Sequence, residues 1–375
     1  DRASVVVADI IEKGGKLIVV GDFDADGATS CVVMMRCLKA FGLKSVDYLV
    51  PNRFDFGYGL SPQIVDVAAE SKPDLIVTVD NGISSIDGVE RAKELGIKVV
   101  VTDHHLAADE LPDAEAIVNP NQPGCQFPSK VIAGVGVAFY LMLAVRAELR
   151  RRQWFNDSRV EPNMATLLDV VALGTVADVV PLDENNRTLV ETGLQRIRNN
   201  RACAGINALL SIAGKSIERC SSQDFGFIIG PRLNAAGRLD DMSIGIECLL
   251  SSEDGPARTL AARLHQLNLA RRLIEQDMQG EAMQILAYMQ GEEEQDPPLA
   301  MTLYQPGWHQ GVIGILASRI KDSLHRPTIA FADGDEDQVK GSARSIPGNH
   351  IRDILDAVAT RHPGLIAKLV GHAKA

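Results

Sequence analysis

Four short β-branched runs, KLIVV (16–20), VDYLV (46–50), LIVTV (75–79) and IKVVV (97–101), recur in the first hundred residues, separated by segments of helical character. Strands that are apolar on both faces and alternate with helices pack as a parallel sheet covered on both sides. The first part of the chain is therefore expected to be α/β. Ligands of open α/β sheets sit beyond the carboxyl ends of the strands. Here the last two runs lead directly into Asp80 and into Thr102-Asp103-His104-His105, so the polar residues at that edge are the first candidates for chemistry.

Downstream the pattern changes. From about Val131 to Arg201 it is mostly helical, and Pro256 to Gln290 reads as one long helix. Leu260, Leu264, Leu267, Ile274, Met278, Ile285 and Met289 form its apolar stripe, interrupted by Arg271. The stretch GEEEQDPP (291–298) ends that helix with like charges and two prolines and is the linker candidate. Strand-like 299–304, helix-like 311–320 and strand-like 328–331 then begin a second, smaller α/β unit. A length of 375 residues also favours two domains. The expected division is a parallel-sheet domain with a helical C-terminal part (1–242), connecting helices (243–294) and a smaller α/β substrate-binding domain (295–375). No internal repeat is present.

Composition narrows the functional classes. With 46% hydrophobic and 23% charged residues the chain has the make-up of an ordinary globular protein. No apolar run approaches the roughly 20 residues needed to span a bilayer, and no signal-peptide layout opens the chain, so a cytoplasmic location is expected. The first residue is Asp1 rather than Met, which reads as a trimmed chain. Six cysteines are scattered without CxxC pairs and are expected to be buried reduced thiols. A net charge of −11 weighs against a polyanionic partner, but seven Lys or Arg against two acids between Arg196 and Arg238 give a local excess of positive charge. A solvated basic face would account for the same count.

The first run is followed by GDFDADGATS (21–30), in which Asp22, Asp24 and Asp26 alternate. On an extended segment alternate side chains share one side, so the three carboxylates would converge before Gly27 lets the chain turn into a helix. Two unit charges 4 Å apart repel by about 1 kcal/mol in water and about 4 kcal/mol at an effective dielectric of 20; such a cluster needs a cation. Taken singly, VDNG (79–82) is a turn, TDHH (102–105) a helix cap and GTVADVVP (174–181) a frayed helix end. Taken together they bring Asp24, Asp26, Asp80 and His104 to one sheet edge, with Asp178 delivered by the following helices. Mixed carboxylate and imidazole donors suit Mn²⁺ better than Mg²⁺, and the absence of thiolates argues against structural zinc. Two such ions can activate a water and stabilise both the attacking and leaving oxygens of a phosphoryl displacement.

These blocks, together with GPRLNAAGRLDD (230–241), WHQGVIGILASR (308–319), KGSARS (340–345) and GHA (371–373), closely resemble the DHH phosphoesterase family. Within it they are most similar to the bacterial single-strand-specific 5′ to 3′ DNA exonucleases. The likeness covers nearly the whole chain and keeps the family order. It implies a DHH catalytic domain joined by a long helix to a DHHA1-like substrate-binding domain, and phosphodiester hydrolysis in DNA repair and recombination with two Mn²⁺ ions, Mg²⁺ being the alternative. Carried over by position, Asp24 and Asp80 hold one ion, and Asp26, Asp80, His104 and Asp178 the other, with Asp80 as the bridge. Relatives often have a histidine where this chain has Val20, and Asp22 or a water takes that place. His105 contacts the scissile phosphate or assists proton transfer, its neutral form favoured beside two cations, while Asp103 orients the histidines.

For the substrate, the resemblance implies that Arg238 and a flexible basic loop carrying Gly341, Ser342 and Arg344 grip a terminal phosphate. His309 would contact the backbone of the strand. His372 falls in the family's glycine-histidine block, with Val370 in place of its first glycine. Relatives usually continue into an OB fold, so the chain reads as a catalytic core. Aromatics are only 5%, and long strands are expected to be held weakly, with affinity falling steeply as salt rises. Single-stranded DNA, a single-strand DNA-binding protein and a RecQ-type helicase are the implied partners of a monomer. Alternatives on the same fold are a nano-RNase, a cyclic-dinucleotide phosphodiesterase or an inorganic pyrophosphatase. A haloacid-dehalogenase-like phosphatase would use Asp24-Ala25-Asp26-Gly27 but gives DHH no role, and a nucleic-acid-binding scaffold would leave the acids as caps.

Overall fold

The computed structural model describes residues 1–51, 59–107, 110–291, 298–334, 338–362 and 364–366. It divides into two compact units, Asp1–Asn268 and Leu269–Ala375. In chain order the first unit contains α1 (Arg2–Lys13), β1 (Leu17–Val20), α2 (Ala25–Ala40), β2 (Val46–Leu49), α3 (Pro62–Ala69), β3 (Leu75–Val79), α4 (Ile86–Glu94), β4 (Lys98–Thr102) and β5 (Ala116–Val118). There follow α5 (Gly134–Arg151), α6 (Leu168–Ala177), α7 (Glu184–Arg198), α8 (Ala204–Ile212), α9 (Ser222–Asp224), a π-helical turn (Phe225–Ile229), α10 (Gly230–Leu239) and α11 (Ser243–Leu250). The next helix, α12 (Asp254–Gly291), crosses into the second unit.

All five strands of the first sheet run parallel in the order β2-β1-β3-β4-β5. β1 and β3 are buried throughout, which is why both read as unbroken apolar runs rather than alternating ones. Along β1, Leu17 and Val19 enter one core and Ile18 and Val20 the other. The smaller core is closed by Leu60, Ile64 and Val65 before and within α3 and by Val89 and Ala92 of α4. The larger one holds α1, α2, α5 and α6. Since β2 lies on one side of β1 and β3 on the other, the strand order reverses between β1 and β3. That topological switch point leaves a crevice at their carboxyl ends, and the segments carrying Asp22 to Asp26 and Asp80 start there.

The first unit extends beyond residue 242, where the sequence pattern placed its end. Ile244, Ile246, Cys248 and Leu249 of α11, and Ala257, Ala261 and Leu264 of α12, are buried in the same core as α2. A helix that buries apolar side chains in a core belongs to that core, whatever its place next to a linker. The long helix runs Asp254–Gly291, close to the 256–290 expected. Arg271, which interrupts its apolar stripe, pairs with Glu275 at 2.6 Å, and Glu275 also receives Arg319 at 3.1 Å. Residues 292–297 of the linker candidate lie outside the described residues.

The second unit holds a three-stranded sheet, β6 (Met301–Tyr304), β7 (Thr328–Asp333) and β8 (Val339–Arg344), with β6 and β7 parallel and β8 antiparallel to β7. Its helices after α12 are α13 (Ile313–Leu324) and α14 (Ile351–Arg361). Here the sequence reading needs correction: Gly341, Ser342 and Arg344 are not a flexible loop but part of a strand, Gly341 facing Phe331 in the register. A Cβ at Gly341 would lie 2.7 Å from Phe331 Cε1, so the glycine serves ring packing rather than flexibility. No helix among the described residues is long and apolar enough to cross a membrane.

Candidate metal centre

The acids after β1 converge by a different route from the one their alternation suggested. Only Asp22 and Phe23 separate Gly21 from the helix cap; Asp24 is the N-cap of α2 and Asp26 lies in its first turn. Asp24 accepts hydrogen bonds from the backbone N–H groups of Asp26 (2.9 Å) and Gly27 (3.0 Å), as an N-cap aspartate does. Asp22 accepts from the N–H of Phe23 at 2.8 Å. A Cβ at Gly27 would sit 2.5 Å from the Asp22 carbonyl oxygen. The glycine thus allows the Asp22 backbone to fold over the helix start. Asp26 reaches to α5, where Gly134 N–H donates to Oδ2 (2.7 Å) and Val135 N–H to Oδ1 (2.8 Å).

Asp80 leaves β3 in the left-handed region, with φ of 62°, a conformation that an aspartate tolerates better than most side chains. His104 Nε2 lies 3.1 Å from Asp80 Oδ1, 3.6 Å from Asp178 Oδ2 and 3.9 Å from Asp26 Oδ2. Asp178 caps the C-terminus of α6. Three groups of donor atoms, each within 4.8 Å of one another, result: Asp22, Asp24 and Asp80; Asp80, His104 and His105; Asp26, His104 and Asp178. Asp80 is common to the first two. All seven residues named for metal and catalysis on this side of the molecule are therefore brought to the crevice at the switch point.

Two family models match the chain: the DHH family N-terminal domain over residues 16–175 and the DHHA1 domain over residues 295–375. The solved structure of exonuclease RecJ bound to manganese superposes on 99% of this chain with a TM-score of 0.81 and 31% identity, and 87% of that chain is covered. The chain belongs to the RecJ group of the DHH family. RecJ from Escherichia coli, called a single-stranded-DNA-specific exonuclease, is 54% identical over all of this chain. RecJ from Thermus thermophilus in complex with Mn²⁺ has a TM-score of 0.81 and 30% identity, over 99% of this chain and 50% of that one. The chain spans 65% of the length of the Escherichia coli protein.

The electrostatics of the RecJ-family crevice follow from burial and crowding. Burial first, then Asp24, push Asp26 up to about 7, although the N–H groups of Val135 and Gly134 pull the other way. Burial, followed by the charges of Asp26, Asp24 and Asp22, pushes Asp178 up to about 9. Asp80, buried among Asp26, Asp24, Asp178 and Asp22, is raised well above its ordinary value. Acids that resist ionisation for want of positive charge are the donor set a divalent cation completes. Oxygen donors mixed with the imidazoles of His104 and His105 fit Mn²⁺, and no thiolate is among them.

Asp103 stands apart from these acids. Burial raises its pKa, but the hydrogen bond and charge of His105 and the N–H of Ile83 outweigh that and lower it. Its Oδ1 accepts from the N–H groups of His104 (2.7 Å) and His105 (3.1 Å) and lies 2.6 Å from His105 Nδ1, while Oδ2 accepts from Ile83 N–H (2.9 Å). For His105, burial lowers the pKa, yet Asp103 and the charges of Asp22 and Asp24 raise it on balance. An ionised carboxylate on Nδ1 keeps the proton there and leaves Nε2 as the titrating atom.

Several residues that local pattern did not single out hold this geometry. Asn119 and Asn121, after β5, donate to the carbonyls of His105 (2.9 Å) and His104 (2.6 Å). Asn234 of α10 accepts from Ala25 N–H at 2.7 Å, tying the first turn of α2 to the helix that carries Arg238. The Asn-Pro-Asn triplet and the glycine pair at 134 and 136 were the available signals, and both read as ordinary turn and helix-start chemistry.

In the second unit Arg344 Nη1 donates to Ser342 Oγ (3.3 Å) and to the Ala343 carbonyl (2.7 Å). A Cβ at Gly314, in the first turn of α13, would meet Ser342 Oγ at 2.9 Å and Arg344 Nη2 at 3.0 Å, so hydroxyl, guanidinium and helix N-terminus converge. His309 Nδ1 accepts from Gly311 N–H at 3.0 Å, just before that helix. Trp308 is buried, its Nε1 donating to Glu281 at 2.8 Å. Arg238 belongs to the first unit, in the last turn of α10. His372 lies outside the described residues.

Proposed function

We propose that this chain is the catalytic portion of a metal-dependent exonuclease that degrades single-stranded DNA from the 5′ end in repair and recombination. The observation that carries the reading is the sharing of Asp80 between two donor groups, Asp22 with Asp24 and His104 with His105. Asp80 would bridge two Mn²⁺ ions, Asp24 with Asp22 completing one shell and Asp26, His104 and Asp178 the other. When bound, the pair supplies Lewis acidity and a water of lowered pKa. The chain's own residues do the rest: Asp103 holds the His105 ring through Nδ1, so that Nε2 faces the reacting phosphate as hydrogen-bond partner or proton carrier. The names of the relatives support single-stranded DNA as the substrate, and their Mn²⁺ structure supports the metal.

Polarity requires a stop for the strand end. Within the second unit, Ser342, Arg344 and the first turn of α13 would form an anion cradle suited to a terminal phosphate, with His309 as a further contact. Arg344→Ala is expected to slow cleavage of 5′-phosphorylated strands by about 10- to 100-fold, the worth of a charge-assisted hydrogen bond, and to spare binding of internal backbone. An unchanged rate in a steady-state assay removes the terminal-phosphate role.

The deciding experiment is a Mn²⁺ assay on 5′-labelled and 3′-labelled single strands, beside a dinucleotide and pyrophosphate. Early release of the 5′ label as short product, and arrest by a blocked 5′ end, are expected. Degradation of a 5′-blocked strand overturns the polarity, and preferred turnover of the dinucleotide or of pyrophosphate favours the small-substrate relatives. Sequence resemblance further supports a cytoplasmic monomer working with a single-strand DNA-binding protein and a RecQ-type helicase.

A further inference from the structure

We propose that Gly134 is a positioning residue for the metal pair, holding the Asp26 and Asp80 carboxylates at a set spacing through the first turn of α5. The proposal rests on the reading of Asp80 as the bridging ligand.

Ala133, the N-cap of α5, makes no side-chain capping bond. The cap is supplied from α2 instead: Asp26, 108 positions earlier, takes the Gly134 and Val135 N–H groups on its two oxygens. A carboxylate has about four lone-pair sites, so each oxygen keeps one for a cation. The same glycine is pressed against the other ligand. A Cβ at position 134 would lie 2.6 Å from Asp80 Oδ1, 2.8 Å from its Cβ and 2.9 Å from its Cγ, closer than real Cβ atoms approach.

Asp80 has little room to retreat. Its backbone is left-handed, and the next residue is tied down, Asn81 Nδ2 donating to the carbonyls of Val79 (2.9 Å) and Val20 (3.2 Å) while its carbonyl accepts from Thr78 Oγ1 (2.7 Å). A methyl group at 134 must therefore displace Asp80 or shift α5, and a shift of α5 carries Asp26 with it. Either movement alters the separation of two ligands without removing a donor atom.

Gly136 provides the control. It lies in the same turn, and a Cβ there would press on Ile132 Cγ1 at 2.5 Å rather than on Asp80. Mn²⁺ binding by the full chain is titrated by calorimetry and by the electron paramagnetic resonance of bound Mn²⁺, for the wild type, Gly134→Ala and Gly136→Ala. Gly134→Ala is expected to weaken binding by about tenfold or more, the scale on which residues supporting metal ligands act, and Gly136→Ala by less than about twofold. Wild-type affinity in Gly134→Ala, or equal weakening in both variants, overturns the proposal. A wild-type chain that takes up no Mn²⁺ overturns the bridging-ligand reading and the proposal with it.

Should Gly134→Ala fold poorly, melting temperatures in EDTA supply the second measurement. The loss caused by Gly134→Ala is expected to shrink by more than half in an Asp80→Gly background, where the clashing side chain is gone. A loss of full size there overturns the contact on which the proposal stands.

Discussion

Asp80→Asn is expected to abolish Mn²⁺-dependent cleavage while leaving the chain folded. Asparagine keeps the shape of the side chain and tolerates the left-handed backbone found at this position, so the substitution removes charge rather than structure. In the proposed site Asp80 serves both ions, and losing it weakens both shells at once. Metal stabilisation of a phosphoryl transition state is worth several kcal/mol, so a loss of about 4 kcal/mol corresponds to a rate about 10³-fold lower. Asp80→Ala should be as inactive but less stable, because alanine is poorer in the left-handed region. The check is turnover of labelled single strands alongside Mn²⁺ stoichiometry. Two ions bound with wild-type affinity in Asp80→Asn would contradict the bridging role.

Mn²⁺ should raise the melting temperature of the first unit, and more so at pH 8.5 than at pH 5.5. Asp26 and Asp178 sit at about 7 and about 9 in the folded chain, against an ordinary value of 3.8, and burial is the main cause in each. A folded pKa above the unfolded one means that the native state holds more protons than the unfolded state. The associated stability is present at low pH and is lost as pH rises from about 4 through those folded values. A cation that favours the ionised acids opposes this loss, and has most to offset where the acids are most ionised. Mn²⁺ at about 100 times its dissociation constant adds roughly 2.7 kcal/mol, which is about 5–10 °C for a unit of this size. Scanning fluorimetry in EDTA and in Mn²⁺ at the two pH values tests this. Equal shifts at both would show that the ions bind without engaging the buried acids.

The two expectations differ in how far local pattern supported them. The alternation of Asp22, Asp24 and Asp26 pointed to convergence, yet the three converge because a helix begins at Ala25, with Asp24 as its cap. The three carboxylates do come together, but through a helix cap and not through strand alternation. In β8 the opposite happened: Gly-Ser-Ala in sequence reads as a loop, because the residue that pairs with Phe331 has no side chain to reveal a period of two. The compact first unit runs on to Asn268, past residue 242, with Ala257, Ala261 and Leu264 of α12 in its core, while the apolar stripe of α12 looks alike on both sides of that point.

Local pattern alone was enough for the first four strands of the larger sheet, their parallel arrangement and the choice of candidate donors. Each of those rests on local periodicity and on residue chemistry, both of which survive in any window of the chain: β3, for example, spans the Leu75–Val79 run without change. Tertiary structure alone decided how the donors are held. The grip of Gly134 and Val135 on Asp26, the bonds from Asn119 and Asn121 to the carbonyls of the two histidines, and the bond from Ala25 to Asn234 join residues between 14 and 209 positions apart. A backbone N–H carries no sequence signature. Which distant acid it will meet is settled only when the helices pack and every buried polar group must find a partner.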